Sequence, residues 1–598
     1  MEILSKLFKD IQDGTINNDQ LKGFVIGSLI PMAQNSRQRF DIRWYLNDAY
    51  YKGDQWVGFN KFSGQIEQVR LEPWRDKIII NFCQISLDAM TSLLTNKRPS
   101  FFVAPVEDDS KKVVVTDLLG QPIIDPATGK QLTEVKKGPM VIEAEHATSA
   151  LESISYNTNF RKKYLDVVHD ALKFGNGFLK IFYDTALQDG LGEVNQARKS
   201  PFAMYIDPLC TDNVTMRDAR FIIEVTQRDV TQVKLEYNVD SLTPDNKYSE
   251  SEYEQMSKNV RYGSNMTGNA DTVLVYECWL KVPTKGVLNA VDFQMVCLTM
   301  TKDKVLRVVL DPTGYNDHPY VSYTYRPIPG EFYGQGLITA IRDLNDQINR
   351  RMSQMSENAT LMGNPRFWAK RGTIRQGEVT NQPGTISQHD SDQAPTQMAG
   401  VNVTTDVQNI VNLLANWTQD LAQTHDVSIG RVPPNVTSGL QVELLQAADS
   451  NILSPHFEAF EEFLKEVAKK MLYTMKAKYP AGRKFTVRDK RGNVESFDFD
   501  PSTFNFSDIR VEIDSALAHT KAGRQNILME LLGRGVLDTQ TFLEYFGGFD
   551  KDIANIVERR QEEMSLGINT PQPQAGKQEM NPIPQPGLPA GQSLYGQQ

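Results

Sequence analysis

The residue types that do chemistry are present in this chain but scattered. Its seven histidines, His146, His169, His318, His389, His425, His456 and His519, form no HExxH pair and no close cluster with carboxylates, so no metal-ligand set is predicted. The four cysteines, Cys83, Cys210, Cys278 and Cys297, lie far apart without a CxxC pair. That spacing argues against a zinc site or a disulfide framework and predicts buried thiols in a chain made in a reducing cytoplasm. No GxxxxGK[ST] loop is present to cradle phosphates, and no GxSxG elbow to hold a nucleophile. Gly175-Asn176-Gly177 and Gly334-Gln335-Gly336 lack the third glycine and the strand-to-helix setting of a dinucleotide site, so both read as turns or helix boundaries. No catalytic residue, no metal site and no cofactor is expected, and the chain is not expected to be an enzyme.

Positive charge is the more informative chemistry. The 598 residues carry 64 Lys and Arg against 74 Asp and Glu, a net charge of -10. Proteins that grip nucleic acid tightly are usually basic, so any DNA contact here should be local or weak. Arg342, Arg350 and Arg351 sit on the polar side of one amphipathic stretch, where they could touch phosphates transiently or pair with a neighbouring subunit. Arg366, Lys370, Arg371 and Arg375 surround Phe367 and Trp368, which makes either a contact surface or a solvated β-hairpin with a buried Trp.

The elements that must position these residues follow from periodicity. Apolar residues make up 40% and charged residues 23%, a globular composition at a length that calls for several packed regions. The apolar run Gly23 to Ala33 contains Pro31 and is too short to span a membrane. A helix is predicted over Asn35 to Tyr51, a strand at Ile78 to Ile80 leading into a helix to Leu94, and a strand over Phe101 to Val106. Residues 107–138 read as a surface insertion, and helical spacing returns from Val141 to Phe174. Strands are predicted over Phe178 to Tyr183, Ala203 to Ile206, Phe221 to Thr226, Val273 to Val282, Phe293 to Thr299 and Val305 to Leu310, with a polar loop around Ser249 to Asn269. The first half is therefore α+β.

Beyond it, Leu337, Ile341, Leu344, Ile348, Met352, Met355, Ala359 and Met362 recur every three or four residues. This is one long amphipathic helix of about 40 Å. A second stripe runs through Val407, Ile410, Leu414, Trp417 and Leu421, and the Gly-, Gln- and Thr-rich stretch between the two suggests a small β excursion. A third helical stretch, Leu440 to Tyr479, contains Ser454-Pro455, which should kink or restart it. A short β section at Lys484 to Ile513, small helices to Met564 and a Pro/Gln-rich tail expected to be disordered complete the chain.

This order of elements resembles the portal proteins of tailed bacteriophages, particularly the P22-like family of short-tailed phages. The residues that carry the resemblance are IIINFCQISLDAMTSLLTNKRPSFFVAP from Ile78, DVVHDALKFGNGFLKIFYD from Asp166, IDPLCTDN with DARFIIEV from Ile206, YGQGLITAIRDLNDQIN from Tyr333 and IDSALAHTKAGRQNILMELLG from Ile513. The resemblance implies a portal-type α+β fold: wing at 1–335, stem helices at 336–363 and 405–430, and a β-rich clip at 364–404. It further implies a tunnel-loop region with a kinked channel-proximal helix at 431–480, a β section of the wing at 481–514 and an α-helical crown at 515–566, before the tail at 567–598. By the same resemblance, Arg431, Asn435 and Thr437 join the stem arginines as candidate DNA-channel contacts. Arg366, Trp368, Lys370, Arg371 and Arg375 become candidate contacts to the terminase or an adaptor.

The implied function is a homo-oligomeric ring, a dodecamer, at one capsid vertex of the virion. Its implied partners are double-stranded DNA, the terminase large subunit, the major capsid protein, the scaffolding protein and a tail or head-completion adaptor, with no membrane. A tail-tube or other connector component would share the ring habit without the helix, clip, helix order. A nuclease would need clustered metal-binding carboxylates, which cannot be assigned here.

Overall fold

The apolar run around Pro31 is buried as helix. In the computed structural model the described residues are 18–60, 65–69, 71–73, 75–96, 98–107, 111–114, 133–136, 138–244, 271–285, 291–363, 367–368, 371, 396–397, 405–424, 439–488, 494–501, 508–512 and 529. Helix α1, Asn18–Phe24, runs through a π-turn at Val25–Leu29 into α2, Ile30–Tyr51. The helical run thus begins well before the Asn35 start that the spacing suggests. Pro31 has no N–H, and in a regular helix its ring would press on the carbonyl four residues back; the wider turn just before it relieves both problems. The reward is burial of Val25, Leu29, Ile30 and Ala33.

Strands β1, Val57–Asn60, and β2, Gln65–Gln68, form a hairpin ahead of α3, Phe82–Thr95, whose first turn is capped by Asn81 Oδ1 accepting from the Gln84 N–H at 3.0 Å. Strand β3, Ser100–Ala104, follows, and the presumed surface insertion contains an antiparallel pair, β4, Lys111–Val114, and β5, Thr133–Lys136. The helical stretch predicted from Val141 to Phe174 is two helices, α4, Pro139–Asn157, and α5, Phe160–Phe174. Asn159, left-handed at φ 52°, breaks them, a conformation that Asn tolerates better than most residues.

Two antiparallel sheets lie at the centre. One joins β6, Asn176–Asp184, to β7, Glu193–Lys199, on one side and to β13, Tyr320–Thr324, on the other. The second has the order β12-β11-β10-β9-β8, from β8, Met204–Ile206, through β9, Phe221–Asp229, β10, Thr272–Lys285, and β11, Val291–Thr301, to β12, Val305–Leu310. Helix α6, Val230–Tyr237, follows β9. The start of the α1–α2 run covers one face of the five-stranded sheet, with Val25, Leu29 and Ala33 against Ile223, Cys278 and Leu298. The other face packs through Trp279 and Cys297 onto a cluster with Trp44, Phe178, Phe202 and Tyr320. All four cysteines are buried thiols, as their spacing predicts.

The long helix is α7, Leu337–Gly363; strands β14, Phe367–Trp368, and β15, Thr396–Gln397, pair antiparallel beyond it, and α8, Thr405–Ala422, returns. The resemblance implies a second stem helix reaching 430, but α8 ends at Ala422 with Gln423 left-handed at φ 54°. Helix α9, Gly439–Lys478, continues through Pro455 without restarting. A proline inside a helix costs about 3 kcal/mol. Leu453, before it, and Phe460, Phe463, Leu464, Val467 and Met471, after it, are all buried, at about 1.5–3 kcal/mol each, and one unbroken helix holds them all. Strands β16, Arg483–Arg488, and β17, Val494–Phe499, pair with each other, and β18, Asp508–Glu512, returns to β3. This α+β body is one compact unit, 1–487 with 495–520; a second unit comprises 488–494 and 521–598. Apart from Met529, the predicted crown and tail lie outside the described residues.

Candidate functional site

The start of α7 is seated backbone against backbone. Gly175, at φ +104°, ends α5, and a Cβ there would stand 2.3 Å from the Gly334 carbonyl oxygen. A Cβ on Gly336 would stand 2.6 Å from the Lys173 carbonyl oxygen. Gly175 thus meets Gly334 directly, while Gly334 itself abuts Thr324 and Arg326, Gly336 the end of α5 and Gly177 the Val167 carbonyl, which is why each position needs glycine. Asn176, fully buried between them, accepts from the Gly334 N–H at 2.8 Å and donates to Thr324 Oγ1 at 2.8 Å. Asn47 of α2 donates to the Lys173 carbonyl at 2.8 Å and approaches Thr339 Oγ1 at 2.8 Å, tying the end of α5 to the first turn of α7.

One turn further on, polar residues take over the buried face. Leu337, Ile341 and Ile348 are buried as the apolar stripe predicts, and so is Ile338 outside it, but Leu344, Met352 and Met355 are only half-buried and Ala359 is exposed. Asn345, Asn349 and Ser353 are buried instead. Their side-chain oxygens accept the backbone N–H groups of Phe82 at 3.0 Å, Ile80 at 2.8 Å and Ile78 at 3.0 Å. Ile78 to Ile80 is not the predicted strand: it joins no sheet, because the side chains of α7 accept the hydrogen bonds that a partner strand would. The amide nitrogens of Asn345 and Asn349 both donate to Gln55 Oε1, at 2.6 and 2.5 Å, and Gln55 Nε2 donates to the Tyr50 carbonyl and to Asn81 Oδ1.

The arginines divide by helical angle. Arg342 lies seven residues before Asn349, about 20° from it around the axis, and so shares the covered face. Its guanidinium is 3.3 Å from Asn47 Oδ1 and 3.5 Å from Asp343, and only 17% of its side chain is exposed. Arg350 is exposed and paired with Asp346 at 3.0 Å, and Arg351 is exposed and donates to Gln354 at 3.0 Å. On α8 the buried side is Thr418 and Ala422, while Ile410, Leu413, Trp417 and Leu421 stay 46–48% exposed. The end of α8 is fastened by Arg326, which donates to the Leu421 carbonyl at 3.2 Å, and by His456 of α9, whose ring nitrogens lie 3.1 Å from the Tyr325 carbonyl and 3.2 Å from Gln423 Oε1. Burial, with help from the Arg326 charge, holds the His456 pKa below its ordinary value, against the Tyr325 carbonyl, which raises it.

Elsewhere, buried charges serve packing. Lys180 bridges Glu224 at 3.1 Å and Glu277 at 2.7 Å between the two sheets. Burial alone would raise the Glu224 pKa; Lys180 and Lys199 override it and bring it down to about 2. A cleft of about 440 Å³ is lined by Arg217, Lys281, Asp317, His318, Lys470 and Tyr473 among others. Lys470 there already donates to the carbonyls of His318, at 2.6 Å, and Tyr320, at 3.0 Å. Among the described residues no group of three or more His, Cys, Asp or Glu could hold a metal ion, and no helix is long and apolar enough to cross a membrane.

A sequence comparison with curated proteins returns no match. The profile of a protein family, described as phage P22-like portal protein, matches residues 43–588, nearly the whole chain. This chain belongs to the P22-like phage portal protein family. That family is structural rather than enzymatic, and membership makes the chain a component of the virion capsid with a ring assembly. Of the residues singled out in this portal chain by sequence, Arg342, Arg350 and Arg351 are together on α7, Trp368 lies in β14, and Arg371 is exposed. Arg366, Lys370, Arg375, Arg431, Asn435 and Thr437 lie outside the described residues. Sequence reasoning missed Asn345, Asn349, Ser353 and Gln55. Their signal was the four-residue repeat of small polar side chains beside the apolar stripe, which reads as ordinary solvated surface until the segment at 78–82 is placed against it.

Proposed function

We propose that this portal chain closes into a twelve-subunit ring whose central channel carries double-stranded DNA during genome packaging, retention and ejection. In this reading α7 and α8 are the stem, and the β14–β15 region is the clip. The observation that carries the reading is the outward apolar stripe of α8. Ile410, Leu413, Trp417 and Leu421 recur at steps of three and four residues and remain nearly half exposed in the single subunit, and a neighbouring copy would cover them.

The charge distribution supports the DNA role. Duplex DNA carries one negative charge per about 1.7 Å, so a strongly basic lumen would hold it by counterion release and act as a brake. A subunit of net charge -10 with exposed Arg350 and Arg351 offers transient phosphate contacts and lets the duplex slide. Arg431, Asn435 and Thr437 are proposed to line the channel near the tunnel loop. Arg366, Trp368, Lys370, Arg371 and Arg375 are proposed to meet the terminase large subunit during packaging and a tail or head-completion adaptor afterwards. The major capsid and scaffolding proteins are the proposed partners of the outer body.

Negative-stain imaging and light scattering of the purified chain test the assembly. The wild type is expected as rings with a central hole, and Trp417→Glu as subunits of unchanged melting temperature that no longer form rings. A wild type that stays a compact monomer at micromolar concentration, with no ring in micrographs, defeats the reading.

A further inference from the structure

Asn345, Asn349 and Ser353 do more than fill space. They lie four residues apart, about 6 Å along α7, and they meet Phe82, Ile80 and Ile78, which lie two residues apart along the segment that turns at Asn81, φ -89° and ψ 71°, into α3. Each step of four along α7 meets a step of two back along that segment, so three rungs form in antiparallel register. Each asparagine uses both ends of its amide, the oxygen for a backbone N–H and the nitrogen for Gln55 Oε1, which fixes which way the amide points. Gln55 passes the connection on to the end of α2 through the Tyr50 carbonyl, and to Asn81, the cap of α3. A fourth tie, Ser356 Oγ to Asp76 Oδ2 at 2.6 Å, extends the run.

We propose that this ladder, with Gln55 as its keystone, sets the rotation and register of α7, making Asn345, Asn349, Ser353 and Gln55 positioning residues for the face that carries Arg350 and Arg351. An apolar stripe alone is a poor register device, because Leu, Ile and Met side chains repack after a small rotation at little cost. Hydrogen bonds do not tolerate this. Turning α7 by one residue, about 100°, or sliding it by 1.5 Å, misplaces all three acceptors together. Translation is also blocked at the other end, where Gly175 and Gly336 leave no room between backbones. Arg350 directly follows the rung at Asn349, so its direction is fixed by that rung. All of these ties lie within one chain and hold whether or not the two arginines touch DNA.

Hydrogen exchange on the assembled full-length protein provides the first readout. Asn349→Ala is expected to speed exchange of the Ile80 amide about tenfold or more, whereas Gln347→Ala, at an exposed position of the same helix, should leave it unchanged. The second readout is the distance between spin labels at Gln354→Cys and Leu235→Cys, both exposed positions, in rings diluted with unlabelled chain. The four native thiols are buried and should stay unlabelled. The distribution should shift or broaden when Asn345 and Asn349 are both alanine. If that pair fails to fold, Ser353→Ala, which removes one rung, should give a smaller change of the same kind. Faster exchange with an unchanged distance distribution would overturn the positioning role, and unchanged exchange in Asn349→Ala would overturn the ladder itself.

Discussion

Replacing Gly175 with alanine separates two costs that usually come together. Gly175 sits at φ +104°, which an L-residue adopts only with strain of about 2 kcal/mol, and its new Cβ would meet the Gly334 carbonyl oxygen at 2.3 Å and its carbon at 2.6 Å. Both neighbours are backbone atoms at the entry to α7, so neither can swing aside, and overpacking of this kind adds about 2 kcal/mol. The expected loss for Gly175→Ala is therefore about 4 kcal/mol. Gly190 supplies the strain-only control, since it has φ +92° with nothing within 4 Å of its Cβ position. Gly190→Ala should lose only about 2 kcal/mol. Gly334 supplies the reverse control: no left-handed φ, but a Cβ at 2.4 Å from Thr324 Cγ2 and 2.7 Å from the Arg326 carbonyl oxygen, so Gly334→Ala should also lose about 2 kcal/mol through overlap. Urea midpoints followed by tryptophan fluorescence at constant slope give the three differences. Equal losses for Gly175→Ala and Gly190→Ala would refute the reasoning, because they would mean that the close approach of the two glycine segments contributes nothing.

Arg350→Gln and Arg351→Gln are each expected to leave rings intact and to alter DNA packaging or retention, with the salt slope of DNA binding falling by about 0.9 for each phosphate no longer neutralised. If either arginine instead pairs between subunits, its variant should lose rings, and two silent variants would remove this segment from the DNA path. Stability should also fall as pH drops from about 6.5. Burial, with Lys470 close by, takes the His318 pKa down to about 3, so the folded protein leaves this imidazole neutral while the unfolded chain protonates it below about pH 6.5. The stability contributed by the folded state is complete above about pH 6.5 and is lost as pH falls towards about 3, amounting to about 2 kcal/mol by about pH 5. His318→Gln should flatten that part of the urea-midpoint profile, and an unchanged slope would show that His318 does not drive it.

The sequence alone determined the element types wherever one periodicity ran long enough. The α7 stripe, the strands of the five-stranded sheet and the buried cysteines were legible, because local spacing and side-chain type suffice to decide them. The portal resemblance was legible too, since it rests on the order of elements and on motifs readable along the chain. Boundaries were less legible. The π-turn before Pro31, the left-handed Asn159 and the unbroken passage of α9 through Pro455 each depend on how much apolar surface the rest of the fold offers to bury, which no local window contains.

The decisive features of the candidate site came only from tertiary structure. Gly175 and Gly334 are far apart in the chain, and nothing near either one says that the other will press against it. Asn345, Asn349 and Ser353 look like the wet side of an amphipathic helix, and they become interior when a segment more than 260 residues earlier brings its N–H groups to them. The exposed stripe of α8 shows the converse: its apolar residues read as core or subunit-packing surface, and within the subunit Thr418 and Ala422 are buried while Trp417 is not. Hydrophobic patterning states which residues leave water. Only the packed chain decides which of them do so within one subunit.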